Sequence, residues 1–412
     1  MPMPKEAVIT GLGVVTPAGT GVPAFWEGML SGRSFITPLT RFDPTRFASK
    51  VAGTVKDFDP ASFLDPRIVI QTDRWTHFDL VCAQQAIGDA GVQIRDEAPE
   101  KVGAVFAAGT GGNEYGQQQL HICGSQGPKH VSVYLSIAWF YAASIGQVSI
   151  CNKIRGYGRN ICAEAAGGPI ALGHAAKIIA QGMCDVVIAG GSEAPLTPYT
   201  FASHQASGLL SPECGPHAYR PFDVTRQGTI VGEGGAGFCI ESREHAAKRD
   251  AHIYAEIAGW GQSFDGILTR GPAADGLAYA RAIEQALQRA QLNPEEIDWI
   301  ICDGLGTQEG DIAEVRALQR VFGAALKHIP ASAPKSMIGR LFNGGSTVDI
   351  ACAVLGLQNG VVLPTVGVRQ LDPNCPLDYV PDTPRAKRLR HALVGARGFG
   401  GFNSAVILKR PA

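Results

Sequence analysis

Two distant stretches of the chain share one design. Residues 102–110 (VGAVFAAGT) and 297–307 (IDWIICDGLGT) each run an apolar strand into a Gly-Thr turn. After each comes a glycine pair opening a helical pattern, Gly167-Gly168 before residues 170–179 and Gly344-Gly345 before residues 348–357. A repeat with a period near half the chain is far too long for a solenoid and requires two equivalent units, each burying the same kind of strand. The boundary is expected near residues 241–253, where a charged Glu-Ser-Arg-Glu-His segment falls, giving an N-terminal half over 1–250 and a C-terminal half over 251–412. No low-complexity linker separates them, so the halves are expected to pack into one body.

Within each half, short apolar runs alternate with helical patterns, the signature of parallel strands joined by crossovers, so the fold class is α/β. Residues 7–15 read as a first strand. Arg74–Ala90 carries Phe78, Cys82 and Ala86 at spacing four and stops at Gly91, as an amphipathic helix does. Residues 102–108 and 297–302 read as buried strands. Asp275 can cap a helix striped by Ala280, Ile283, Leu287 and Ala290 that ends before Asn293-Pro294.

Composition excludes several classes. The 36 Lys+Arg against 37 Asp+Glu leave a net charge of −1 with no basic stripe, which argues against nucleic acid as a partner. The ten cysteines include no C-x-x-C and no zinc-ligand spacing, so they read as reduced thiols in a cytoplasmic protein with no metal site. No run of roughly 18 apolar residues exists to span a membrane, and the opening MPMPKEAVITGLG does not read as a signal peptide. Gly11-Leu12-Gly13 lacks the third glycine of a dinucleotide fingerprint, because Thr16 stands there, and reads as a tight turn. Neither a P-loop nor a G-x-S-x-G elbow occurs, and no cofactor-binding motif remains.

Five segments carry a more specific signal: residues 159–173 (RNICAEAAGGPIALG), 220–233 (RPFDVTRQGTIVGE), 303–314 (DGLGTQEGDIAE), 334–349 (PKSMIGRLFNGGSTVD) and 396–404 (ARGFGGFNS). In this order they resemble the β-ketoacyl synthases, condensing enzymes of the thiolase superfamily. The resemblance implies a thiolase-like fold, two duplicated βαβ halves forming a layered αβαβα core. In that family a cysteine at a strand-to-helix elbow attacks an acyl thioester while two histidines assist decarboxylation and oxyanion stabilisation. Laid on this chain, the nucleophile position is Ala165 and the histidine positions are Asp303 and Arg340. All three are degenerate, so no catalytic residue is assigned.

That pattern resembles the chain length factors, or ketosynthase β subunits, of type II polyketide synthases. Their usual elbow Ala-Glu-Gln-Ala-Gly-Gly is matched by Ala163-Glu164-Ala165-Ala166-Gly167-Gly168, and they carry a segment like residues 136–144 (SIAWFYAAS). One departure is that Ala165 replaces a glutamine proposed to assist priming decarboxylation. The resemblance implies a silent partner of a ketosynthase α subunit that helps shape a tunnel for the growing polyketide chain. Acyl carrier protein would deliver the extender units on its own phosphopantetheine. Pairing would use the strand entering the elbow, near residues 158–163.

Glu314, Lys335 and Phe399 match retained site scaffold, and Asn113, Gly116, Leu120 and Ile137 match tunnel positions. None of those four is aromatic, so the tunnel end is expected to be roomy unless Tyr115 or the partner plugs it. Opposite charges at Asp303 and Arg340 suggest a salt bridge across the cavity. Cys162 precedes the elbow and reads as a core cysteine. Two other readings stay open: a condensing enzyme or thiolase that uses Cys162, and a non-catalytic homodimeric binding protein.

Overall fold

The computed structural model describes residues 5–267 and 271–411. The first half contributes strands β1 (Ala7–Thr16), β2 (Val102–Ala107), β3 (Gly158–Ile161), β4 (Val186–Glu193) and β5 (Gly234–Ser242). The second contributes β6 (Ala255–Phe264), β7 (Trp299–Ile301), β8 (Pro330–Ser332), β9 (Asp378–Tyr379), β10 (His391–Gly398) and β11 (Phe402–Lys409). They form one mixed sheet in the order β9-β8-β7-β10-β11-β6-β1-β5-β4-β2-β3. With the two-residue edge strand β9 set aside, β1-β5-β4-β2-β3 and β6-β11-β10-β7-β8, read outward from the centre, are the same arrangement, first-fifth-fourth-second-third. Parallel and antiparallel neighbours also match between the halves. The halves meet where Val8 and Ile9 pair with Glu256 and Ala255.

The helices used below are α1 (Arg74–Ala90), α2 (Asn113–Gln126), α3 (Gly167–Ala180), α4 (Pro198–Ala206), α5 (Leu277–Ala290), α6 (Gln308–Phe322) and α7 (Asn343–Asn359). α3 and α7 pack on each other and on strands of both halves, forming the middle layer of an αβαβα stack. Such a position leaves no solvent face, and α7 is buried from Asn343 to Leu357. α1 covers β1, β5 and β4 on one outside, and α5 covers β6 and β11 on the other.

Local chemistry sets the helix ends. Asp73 caps α1 by accepting from the Trp75 N–H at 3.1 Å, and Gly91 ends it in the left-handed region at φ 66°. Gly11-Leu12-Gly13 corrects the expectation of a turn, since both glycines lie inside β1. A Cβ on Gly11 or Gly13 would strike the carbonyl oxygens of Ala86 and Cys82 on α1. Gly259 and Gly261 stand in the same relation to Ala286 and Ala282 on α5. Each half thus seats its outer helix on a Gly-x-Gly strand that lets two backbones touch. Among the described residues no helix is long and apolar enough to cross a membrane.

Candidate functional site

β3 stops at Ile161, and a one-turn 3-10 segment, Glu164–Ala166, hands the chain to α3. Ala165 sits buried in that elbow. Glu164 takes a left-handed backbone at φ 46°, unusual for a residue with a long side chain. The turn folds its carboxylate back, so that Oε2 accepts from the Ala165 N–H at 2.6 Å and from the Phe399 N–H at 2.8 Å. Burial raises the Glu164 pKa, partly offset by Arg340.

Opposite the elbow lies a sealed cluster of charge. Asp303 follows β7, Arg340 follows the 3-10 turn Pro334–Met337, Arg397 is on β10, Glu314 on α6 and Asp349 on α7. Arg340 Nη2 is 3.0 Å from Asp303 Oδ1, so the two replacements pair across the site. The pair is one link of a longer chain, however. Arg397 Nη2 lies 3.2 Å from the other Asp303 oxygen and 3.0 Å from Glu314 Oε2. Glu314 also accepts from the Asp303 and Gly304 N–H groups at 2.7 and 2.8 Å. Lys335 donates to the Cys302 carbonyl at 2.7 Å and pairs with Asp349 at 2.6 Å. Burial pushes the Asp303 carboxyl up, but Arg340, Arg397 and Lys335 together outweigh it and hold it below the usual range. Glu314, with less compensation, is raised by burial. The expected pair was therefore incomplete: Arg397 lies in a segment singled out by sequence, yet nothing in residue type alone shows that it reaches Asp303.

A cavity of about 390 Å³ opens between elbow and charges, walled in part by Glu164, His204, Arg340, Phe342, Arg397 and Phe399. A second chamber of about 260 Å³ shares Glu164, His204 and Phe342 and adds Cys162, Glu193 and Asn343. His204 comes from α4 and stacks on Phe342 with ring centroids 4.3 Å apart. Its Nε2 is shut off from solvent without a hydrogen-bond partner, and burial lowers its pKa to about 4, which keeps the ring neutral. Sequence reading missed His204, because it lies on another element at no telling spacing from the elbow.

Cys162 is a further correction. It is exposed, not a core cysteine, because β3 has already ended and strand alternation no longer governs it. Partial burial and Glu193 raise its pKa, only partly opposed by the Asn160 Nδ2 hydrogen bond at 3.2 Å. A nucleophilic thiol needs the opposite shift.

Asn113 opens α2 and donates to the Thr110 carbonyl at 2.8 Å. Gly116 is buried one turn later, and Leu120 is 70% exposed. Ile137, on the short helix Leu135–Ala138, is also exposed. None of the four lines the two chambers above. The expected room beside Gly116 is taken by Trp139: a Cβ there would lie 2.8 Å from the indole Cδ1. Tyr115 instead donates to Ser132 Oγ at 2.9 Å. Trp139, Phe140 and Tyr141 are about half exposed in the single chain. β3 is the edge of the sheet on the side of the first half. The Tyr157 and Ile161 carbonyls accept from Ala104 on β2 and from Ala108 just past its end, so alternation turns the Asn160 N–H outward.

Residues 5–246 match the family described as beta-ketoacyl synthase, N-terminal domain, and residues 254–369 match beta-ketoacyl synthase, C-terminal domain. The chain belongs to the β-ketoacyl synthase family. Within the β-ketoacyl synthases it is 41% identical, over all of both chains, to the tetracenomycin polyketide synthase ketoacyl synthase beta subunit of Streptomyces glaucescens. Its fold matches the ishigamide ketosynthase/chain length factor at TM-score 0.93 and 29% identity, covering 99% of this chain and all of that one. It also matches, at TM-score 0.90 and 30% identity and with the same coverage, a chain from the complex of a type II PKS acyl-carrier protein with its ketosynthase bound to the hexaketide.

Proposed function

We propose that this chain is the catalytically inactive partner in a type II polyketide synthase, pairing with a ketosynthase α subunit and shaping the tunnel that sets polyketide length. The observation that carries this reading is the elbow. Ala165 has no nucleophilic atom, and the places from which two histidines would face it hold Asp303 and Arg340 tied into a buried ion network. A condensation cycle needs a thiolate, a proton-handling imidazole and an open oxyanion site, and Ala165, Asp303, Arg340 and the Glu164 carboxylate offer none of them; the nearby imidazole, His204, comes from α4 and is stacked on Phe342. The fold is retained and its contribution is shape.

In this reading the partner's cysteine and histidines carry out decarboxylative Claisen condensation of malonyl units. Those units arrive on acyl carrier protein, whose phosphopantetheine is the only cofactor involved. β3, with Asn160 facing outward, continues the sheet into the partner. Asn113, Gly116, Leu120 and Ile137 lie along the tunnel, and Glu314, Lys335 and Phe399 act as scaffold. The halves divide near residue 250, and the complex works in the cytoplasm.

Co-expression with a ketosynthase α, followed by mass spectrometry of products, tests the reading. The expected result is polyketide only when both chains are present. Product from this chain alone, blocked by alkylation at Cys162, would favour the condensing-enzyme reading. A stable homodimer that recruits no ketosynthase would favour a binding protein.

A further inference from the structure

Two backbone N–H groups from segments far apart in sequence, at Ala165 and Phe399, converge on a single oxygen, and that oxygen belongs to Glu164. Two main-chain donors aimed at one point make an anion hole, and such donors stabilise negative charge strongly where water is excluded. Glu164 fills it only by holding a left-handed backbone at φ 46°. We infer that Glu164 is the resident occupant of this hole and closes the elbow to the carbonyl oxygen of an acyl thioester, so that a small carboxylate could enter only once the Glu164 side chain is removed. This rests on the reading of the chain as a non-condensing subunit and adds a second barrier to it. The missing nucleophile prevents bond formation, whereas the internal carboxylate prevents docking, so carrier-bound thioesters have only the partner's site to enter. The Glu164 carboxylate also ties the Phe399 loop to the elbow.

Hydrogen-exchange mass spectrometry on the full chain tests this, with acetate as the probe. In the wild type, exchange in peptides containing Ala165 and Phe399 should be slow and unaffected by acetate. Glu164→Gly suits the left-handed backbone and removes the occupant; exchange at Phe399 should rise roughly tenfold or more and fall again when acetate is added. Glu164→Gln keeps an accepting oxygen and should remain slow. If Glu164→Gly folds poorly, Glu164→Asn serves, since asparagine tolerates positive φ and is one methylene too short to reach both donors. Slow exchange in the opened variant, or fast exchange indifferent to acetate, overturns the inference. The readout is local and needs neither partner nor product, so failure of the pairing or product experiments would leave it standing.

Discussion

Asp303 and Arg340 meet at 3.0 Å with both side chains closed off from water, and Arg397 holds the other Asp303 oxygen at 3.2 Å. Removing the carboxylate therefore strands Arg340 and leaves Arg397 with Glu314 alone, whereas removing Arg340 leaves Asp303 paired with Arg397. Asp303→Leu should cost about 3–5 kcal/mol. Arg340→Met should cost less, about 1–3 kcal/mol. The double variant should lose clearly less than the sum. Urea unfolding of the four proteins measures the coupling; strictly additive losses would show that the contact has no energetic weight.

Ala165→Cys alone should not create a condensing enzyme. The new thiol would face Asp303 and Arg340, neither of which can serve as a neutral imidazole donor, and Glu164 would still occupy the adjacent N–H groups. Malonyl-thioester decarboxylation by the isolated variant should stay at the wild-type background. A rate near that of an active ketosynthase would refute the assignment.

His204 supplies a pH signature. Burial lowers its folded pKa from 6.5 to about 4. Between those values the unfolded chain binds a proton that the folded chain does not, so this group's contribution is present above pH 6.5 and is lost as pH falls toward 4. The loss amounts to at most about 3 kcal/mol. His204→Gln should flatten the stability profile in that window while leaving it unchanged near pH 8. Parallel profiles for the two proteins would mean that His204 does not titrate in this way.

Trp139 stands against Gly116, so length control near α2 should respond to that indole first. Trp139→Ala should lengthen the polyketide made by the heterodimer. Gly116→Phe would collide with the ring and should disturb packing as well as product. Leu120→Phe, at an exposed position, should shorten the product with assembly intact. Unchanged product masses in both Trp139→Ala and Leu120→Phe, at full activity, would move length control elsewhere.

Asn160→Pro removes an outward N–H from the open edge at β3, where a strand from the partner would bond. Analytical ultracentrifugation should show a weakened heterodimer, while the melting of the single chain changes little. Undiminished pairing would place the interface on another surface.

Much of the fold was legible because its signals are local. Asp73 and Gly91 bracket α1 where the spacing of Phe78, Cys82 and Ala86 predicts, and the glycine pairs announce α3 and α7. The errors arose where the deciding contact is distant. Gly11 and Gly13 look like a turn until α1 is laid across them, and Cys162 looks buried only if the strand runs on to the elbow, whereas β3 stops at Ile161, just before it. In the site, the charges at Asp303 and Arg340 predicted their contact. Arg397, His204 and Trp139 carry no spacing that links them to it, so only the folded chain brings them there.

The buried ion network also has an outward effect. Three cations, Arg340, Arg397 and Lys335, are engaged by Asp303, Glu314 and Asp349 at 3.2 Å or less. Their fields largely cancel within a few ångströms, so an acidic extender group drifting past this centre meets little steering force. The subunit is electrically quiet at this centre, so its part in handling a charged extender group is steric and not electrostatic.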